Sequence, residues 1–289
     1  MVVLENGRPG VIRIELVKQT RRAKGWVTLA VMALVPLLLT VVIGTTRPAI
    51  AERVGDWGSV VTNTSGFTVP LIALTAMQLF LIPLGVTIFA AEAVAGERSW
   101  GSLRYLLVRP VSRSRVLLSK TAVAAASALA VVLVATAASV AGGVLAFGWR
   151  PLTVGDLQHT SAFFVATTSL APGTALLRIW LATGVVAGGM VSTFAFALFL
   201  STLTDRPFGA VAGGIGLGLV SRALDNIPGL HVLGPWLPMT DAGTTAWTAL
   251  FLQPVNLDGV AHLALVQAVY GAVFLAAAWI RFSRADVLG

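Results

Sequence analysis

Long apolar runs, each about the length of a membrane crossing, alternate along this chain with short polar or basic connections. A hydrocarbon core of ~30 Å needs ~20 helical residues at ~1.5 Å each. Residues 26–46 meet that length without a charge, and residues 69–91 make a second run with Pro70 near its start and Pro83 inside. Pro83 has no N–H to give the carbonyl of Leu79, which predicts a kink there. Residues 121–149 are a third run, alanine-rich and long enough to tilt, and residues 179–204 are a fourth. Pro207 suits the first position of a fifth helix. Arg222 interrupts that run, so the span over 207–221 is short, carries a snorkelling arginine, or breaks near the far surface. Residues 260–280 are the sixth, followed by Arg281 and Arg284.

The connections have their own patterns. Within residues 1–25, Ile12, Ile14 and Leu16 alternate like a strand, while Val11, Ile14, Val17 and Lys18 fit a helix loosely. An unpaired strand edge at a membrane surface is costly, which favours an interfacial helix. Trp26 then marks the interface. Residues 223–259 place Pro228, Pro235, Pro238 and Pro254 among Leu, Trp and Phe. That stretch is too apolar for comfortable solvation and too broken to span, so it predicts short helices in the outer interface or dipping back into the bundle. Residues 150–178 are milder, with a polar patch at 156–159. The expected architecture is an all-α polytopic membrane protein, a single transmembrane domain over residues 1–289. It comprises six transmembrane helices, an N-terminal interfacial helix, a cytoplasmic loop and short outer-interface helices.

Composition agrees: 11% charged residues is far below the ~25% of soluble chains, and mean hydropathy is +0.87. The net charge of +8 could suit nucleic acid, but the basic residues bracket apolar runs, which points to the membrane and to no nucleic-acid partner. Placing both termini and the 92–120 segment inside leaves only Arg47, Arg53, Arg150, Arg178 and Arg222 of the 20 basic residues outside. The run from Trp26 is a full span without a small-residue cleavage site, unlike a secretory signal. The arginine- and alanine-rich usage is that of high-GC bacteria, so a bacterial inner membrane is the expected location. With no cysteine, neither a disulfide framework nor a thiolate metal site is available.

No enzyme motif is present. His159, His231 and His262 are scattered, and no metal-ligating or cofactor-binding spacing occurs. Ser119-Lys120-Thr121 lacks the glycine of a phosphate loop and follows no Gly-rich turn. His262 reads as structural. Gln78, the main polar side chain of the second run, should face the bundle interior. Gly184 with Gly188, Gly209 with Gly213, and Gly214 with Gly218 recur at four-residue spacing, a pattern that lets helix backbones approach closely.

Residues 92–120 form a charged island between two apolar runs. Glu92 and Glu97 precede Gly101 and Ser102; Leu103, Leu106, Leu107 and Val111 can then make one apolar side, with Arg104, Arg109, Arg113 and Arg115 opposite. Pro110 should stop a helix at Arg109. Taken alone, this pattern also fits a basic loop lying on lipid.

The run E-R-x-x-G-S-L-R-x-L-L-x-x-P-V-S-R-x-x-x-L-x-S-K, from Glu97 to Lys120, resembles the first cytoplasmic loop of type-2 ATP-binding-cassette permeases. Matching positions are Glu92, Glu97, Gly101, Ser102, Leu103, Pro110, Val111, Ser112, Arg113 and Lys120. Glu15, Leu16, Arg21 and Arg22 resemble that family's segment before the first span. The resemblance implies a membrane-spanning subunit of an exporter, working with a second permease chain and two copies of a separate ATPase. ATP and Mg would bind on the ATPase, with no cofactor in this chain. The coupling loop it implies comprises Glu92, Glu97, Arg98, Gly101, Ser102, Leu103, Leu106, Leu107, Pro110 and Arg113, acting with the N-terminal segment. An ion-coupled secondary transporter is the alternative; it would want ionisable groups in mid-membrane, and the runs are nearly free of them. A non-transporting membrane anchor is a third reading.

Overall fold

A computed structural model describes residues 9–53, 65–99, 113–155, 166–240, 245–251 and 254–284. A short helix α1 (Pro9–Thr20) leads into α2 (Ala23–Arg53). The second apolar run is two helices, α3 (Thr68–Leu79) and α4 (Leu81–Glu92), followed by one turn, α5 (Ala95–Ser99). Then come α6 (Arg113–Phe147), a hairpin of β1 (Leu152–Gly155) and β2 (Ala166–Leu170), and α7 (Pro172–Gly189) with α8 (Val191–Leu203). Helix α9 (Pro207–Asp225), two 3-10 turns (His231–Trp236 and Ala246–Phe251) and α10 (Asp258–Arg284) complete the described chain. Five helical stretches are long and apolar enough to cross a membrane, or six if the bent α3–α4 pair is one span. The N-terminal segment is helical, as its pattern favours.

Span boundaries differ from the apolar runs in consistent ways. Helix α6 begins eight residues before residue 121, because Lys120 is buried by ion pairing instead of ending the helix. The fourth run begins at Pro172, not residue 179, so Arg178 lies within a helix. It also breaks once, at Met190. The fifth helix continues through Arg222 to Asp225. The loop expected over 150–178 contains the antiparallel hairpin β1–β2, the one departure from an all-helical chain among the described residues.

The kink falls at Phe80, three residues before Pro83, where α3 and α4 meet at 56°. The physical cause is the one the proline predicts: Leu79 loses its intrahelical donor. The Arg222 guanidinium supplies a replacement, donating through Nη1 to the Leu79 carbonyl at 3.2 Å. Arg222 is thus not at a helix break. It caps a carbonyl that a neighbouring helix exposes.

The core is built where α3, α4, α6 and α7 meet, with Leu74, Met77, Ile82, Val131 and Ile179 fully buried. The apolar sequel to α9 folds back onto it. Trp247 and Phe251 are buried, and the Trp247 indole donates to Gln78 Oε1 at 3.0 Å. Gln267 bridges the same region, donating to the Pro238 carbonyl at 2.7 Å and accepting from the Ser192 N–H at 2.8 Å. His262 Nε2 lies 2.7 Å from the Pro235 carbonyl and its ring packs edge-on to Trp236, a structural placement. Hydroxyls inside the long helices turn back on their own carbonyls, as Thr40 does to Pro36 and Thr183 to Ile179. That leaves few polar groups to face hydrocarbon.

The repeated glycines divide into two groups. A Cβ on Gly214 would sit 2.5 Å from Thr87 Cγ2 and 3.1 Å from Ala197 Cβ; on Gly218 it would meet Met239 Sδ at 3.1 Å, and on Gly213 it would run into Leu200. Gly209 has only ordinary contact with Thr204, at 3.6 Å. Around Gly184 and Gly188 the space is open, so a Cβ there would meet nothing among the described residues. Gly214→Ala should therefore lower stability by about 1–3 kcal/mol, the usual cost of overpacking. Gly184→Ala should change it by less than about 0.5 kcal/mol. Thermal unfolding of the two variants in detergent tests this, and equal effects would show that the α4–α8–α9 contact is not close-packed.

Candidate functional site

Helix α1 carries Glu15 and Lys18, with Arg22 two residues beyond its end, at spacings that continue one helical face. That face lies against the root of α6 and the end of α4, where Glu92, Glu97 and Lys120 are found. Glu97 is 2% exposed and stands between two lysines. Its carboxylate pairs with Lys18 through Oε1 and with Lys120 at 2.6 Å through Oε2. Lys120, itself buried, also reaches Glu15 at 2.5 Å. Glu92 forms the second half of the knot, meeting Lys24 at 3.1 Å and Arg22 at 3.7 Å. All three lysines of the chain take part. Between them lies a cavity of about 20 Å³, bordered by Glu15, Gln19, Glu92 and Lys120, with room for one water molecule.

Neighbouring Arg98 faces the opposite way. Its Nη1 donates to the Thr202 carbonyl at 3.0 Å and lies 3.7 Å from Asp205, at the turn between α8 and α9. Consecutive residues thus tie the short helix α5 to two separate parts of the bundle. Exposed ion pairs are worth only ~0–1 kcal/mol; the Glu97–Lys120 pair differs because both groups are buried, while Lys18 reaches the same carboxylate from a partly exposed position. Arg98–Asp205 keeps the weaker character, with Asp205 largely exposed.

Burial pushes the Glu97 carboxyl pKa up, but the opposing effects are larger together: the charge of Lys120, hydrogen bonds from Lys120 and Lys18, and the charge of Lys18. The net result is a carboxyl held below its ordinary value. A lowered folded-state pKa contributes stability that is present above the unfolded value and lost as pH falls through the folded one.

Among the residues singled out from sequence, Glu15, Arg22, Glu92, Glu97 and Lys120 come together here, while Arg98 turns to the α8–α9 side. Leu16 and Arg21 point outward. Gly101, Ser102, Leu103, Leu106, Leu107 and Pro110 lie outside the described residues, as does the side chain of Arg113, the first residue of α6. Lys18, Lys24 and Asp205 were not singled out from sequence. The available signal was the face Glu15–Lys18–Arg22 and the scarcity of lysine in an arginine-rich chain.

Membrane-crossing helices and a charged knot at the root of the 100–112 segment define a polytopic membrane protein with a braced loop. Residues 11–204 match the model of the ABC-2 family transporter protein family. The chain belongs to that family and is a membrane-spanning ABC transporter permease, a transport component and not itself a catalyst. Two relatives from Mycobacterium tuberculosis, strains CDC 1551 / Oshkosh and ATCC 25618 / H37Rv, are each described as a probable doxorubicin resistance ABC transporter permease protein DrrC. Each is 30% identical over 237 residues, covering 80% of this chain and 79% of the relative.

Glu97→Gln keeps the shape but removes the charge between two lysines. Its cost should fall near the lower end of the ~3–5 kcal/mol for breaking a buried pair, because Glu15 remains to pair with Lys120. Unfolding followed by tryptophan fluorescence should show that gap near neutral pH and its closure as pH drops below the lowered Glu97 pKa. The paired replacement Glu97→Leu with Lys120→Met should restore most of the stability. A gap that persists unchanged in acid would exclude charge as its source.

Proposed function

We propose that this permease forms the translocation path of an exporter and couples it to ATP hydrolysis on a separate nucleotide-binding subunit. One observation carries this reading: the two roots of the 100–112 segment are braced by one buried charge knot, through Glu97 on one side and Lys120 on the other. A loop that only rested on lipid would need no such brace. A loop that receives force does, since displacement of its tip then moves α1, α4 and α6 together. Arg98 extends the brace to the α8–α9 turn. The ATPase, with its ATP and Mg, would approach from the cytoplasm, the side on which the excess of basic residues supports putting both termini. Two copies of it would serve this chain and a second permease, identical or homologous, in a bacterial inner membrane. The relatives' association with doxorubicin resistance supports outward transport of an amphipathic compound.

Within the loop, Leu103 with Leu106 or Leu107 would supply an apolar knob for a groove on the ATPase. Burying one leucine contributes ~1.5–3 kcal/mol, which is ~10- to 100-fold in affinity. Leu103→Asp should therefore release the ATPase or uncouple its hydrolysis from export in vesicles, with the permease still inserted. Arg109→Lys and Arg113→Lys should be mild. If Leu103→Asp leaves complex formation, ATPase rate and transport unchanged while neutralising the arginines abolishes them, the loop is an electrostatic anchor and not a lever.

A further inference from the structure

Beside the bundle core lies a second cavity, of about 280 Å³, open along one side and bounded by α4, α6, the α7–α8 break and α10. Its α6 wall is Thr121, Ala125, Ala128, Leu129 and Val132, positions that share one helical face. Alanines along that face hollow the groove. No charged residue lines it. The volume is at the small end of the ~300–1,000 Å³ range of ligand pockets, enough for one slender apolar group.

Its position along the helices is specific. Thr121 is adjacent to Lys120 of the charge knot, and Val132 lies eleven residues further on, ~16 Å along the axis. That distance is about half of the ~30 Å hydrocarbon core. The groove therefore begins at the charged end of the bundle and stops near mid-membrane, one leaflet deep. Arg281 and Arg284 occupy the last turn of α10 just beyond Leu275, and Arg115 precedes Thr121 on α6. All three are exposed and make no ion pair with another described residue.

We infer that this groove holds one acyl chain of an anionic phospholipid from the leaflet at the charged end, with its phosphate attracted by the exposed arginines of that end. Depth matches the chain, the neutral lining matches its chemistry, and the cations match the headgroup. The occupant would press on Val86 of α4 and on Met190 at the α7–α8 break, whose flexible thioether can adapt to it. The inference depends on membrane embedding alone, so it stands or falls separately from the coupling role of the loop.

The full chain in phosphatidylcholine nanodiscs, with a minority of phosphatidylglycerol carrying a diazirine late in one acyl chain, tests this directly. Photolabel located by mass spectrometry should concentrate on residues 121–132 and 187–194, severalfold above the outward face of α2. Ala125→Trp, at an exposed position on the wall, should remove that label and leave the α2 background unchanged. Leu129→Trp serves the same purpose if Ala125→Trp is not recovered folded. Arg281→Gln with Arg284→Gln should reduce the preference for phosphatidylglycerol over equally labelled phosphatidylcholine, by about fivefold per arginine. Label spread evenly over all apolar faces, or indifferent to both tryptophan variants, would overturn the site in favour of ordinary annular lipid. Absence of label from residues 121–132 and 187–194 while α2 is labelled would overturn the lipid occupant and show the groove covered by protein instead. Equal labelling by the two lipids would overturn the headgroup assignment.

Discussion

A charge removed from water must find its opposite, and around Glu97 this chain arranges three elements to satisfy that demand. One carboxylate between Lys18 and Lys120 fixes the N-terminal helix, the end of the second span and the root of the third in a single arrangement. Against well-packed apolar residues such a cluster is weak evidence for stability. Its strength is directional. Ion pairs with short, defined geometry hold registry between elements far apart in sequence, where apolar contact alone would let them slide.

The same rule operates at the bend of the second span. A proline leaves the Leu79 carbonyl without its helical donor, and Arg222 reaches across from α9 to provide one. Along with Trp247 to Gln78 and Gln267 to Ser192 and Pro238, this gives the bend, the α7–α8 break and the returning 3-10 turns specific partners. Irregular backbone and buried amides are tolerated here because the surrounding protein replaces the missing water. The result is a bundle with stiff junctions at the bend and at the charged end, and long helical surfaces between them.

Much of this was legible in the sequence, because apolar length and proline chemistry are local. The spans, the bent second run, the short helices after α9 and the structural His262 all follow from residues close to one another. Pairings across long separations did not. Nothing near Arg222 shows that its partner is Leu79, and nothing near Glu97 shows that two lysines bury it. The glycines make the same point: Gly184 with Gly188 and Gly214 with Gly218 share one spacing, yet only the second pair meets close-packed walls. Spacing identifies a face; only the packed structure says what it faces. Helix α6 started earlier than its apolar run for a related reason, since a lysine ends a span only when it remains unpaired.

Glu97 locks the N-terminal helix to the root of the loop through Lys18 and Lys120. The cysteine-free chain allows paired spin labels at Leu16→Cys on α1 and Ser99→Cys on α5, both exposed positions. Distances measured between them by pulsed electron resonance in lipid should give one narrow distribution, which broadens or shifts in a Glu97→Gln background. An equally narrow, unmoved distribution in that background would contradict the account, because α1 would then be held by something other than the charge knot.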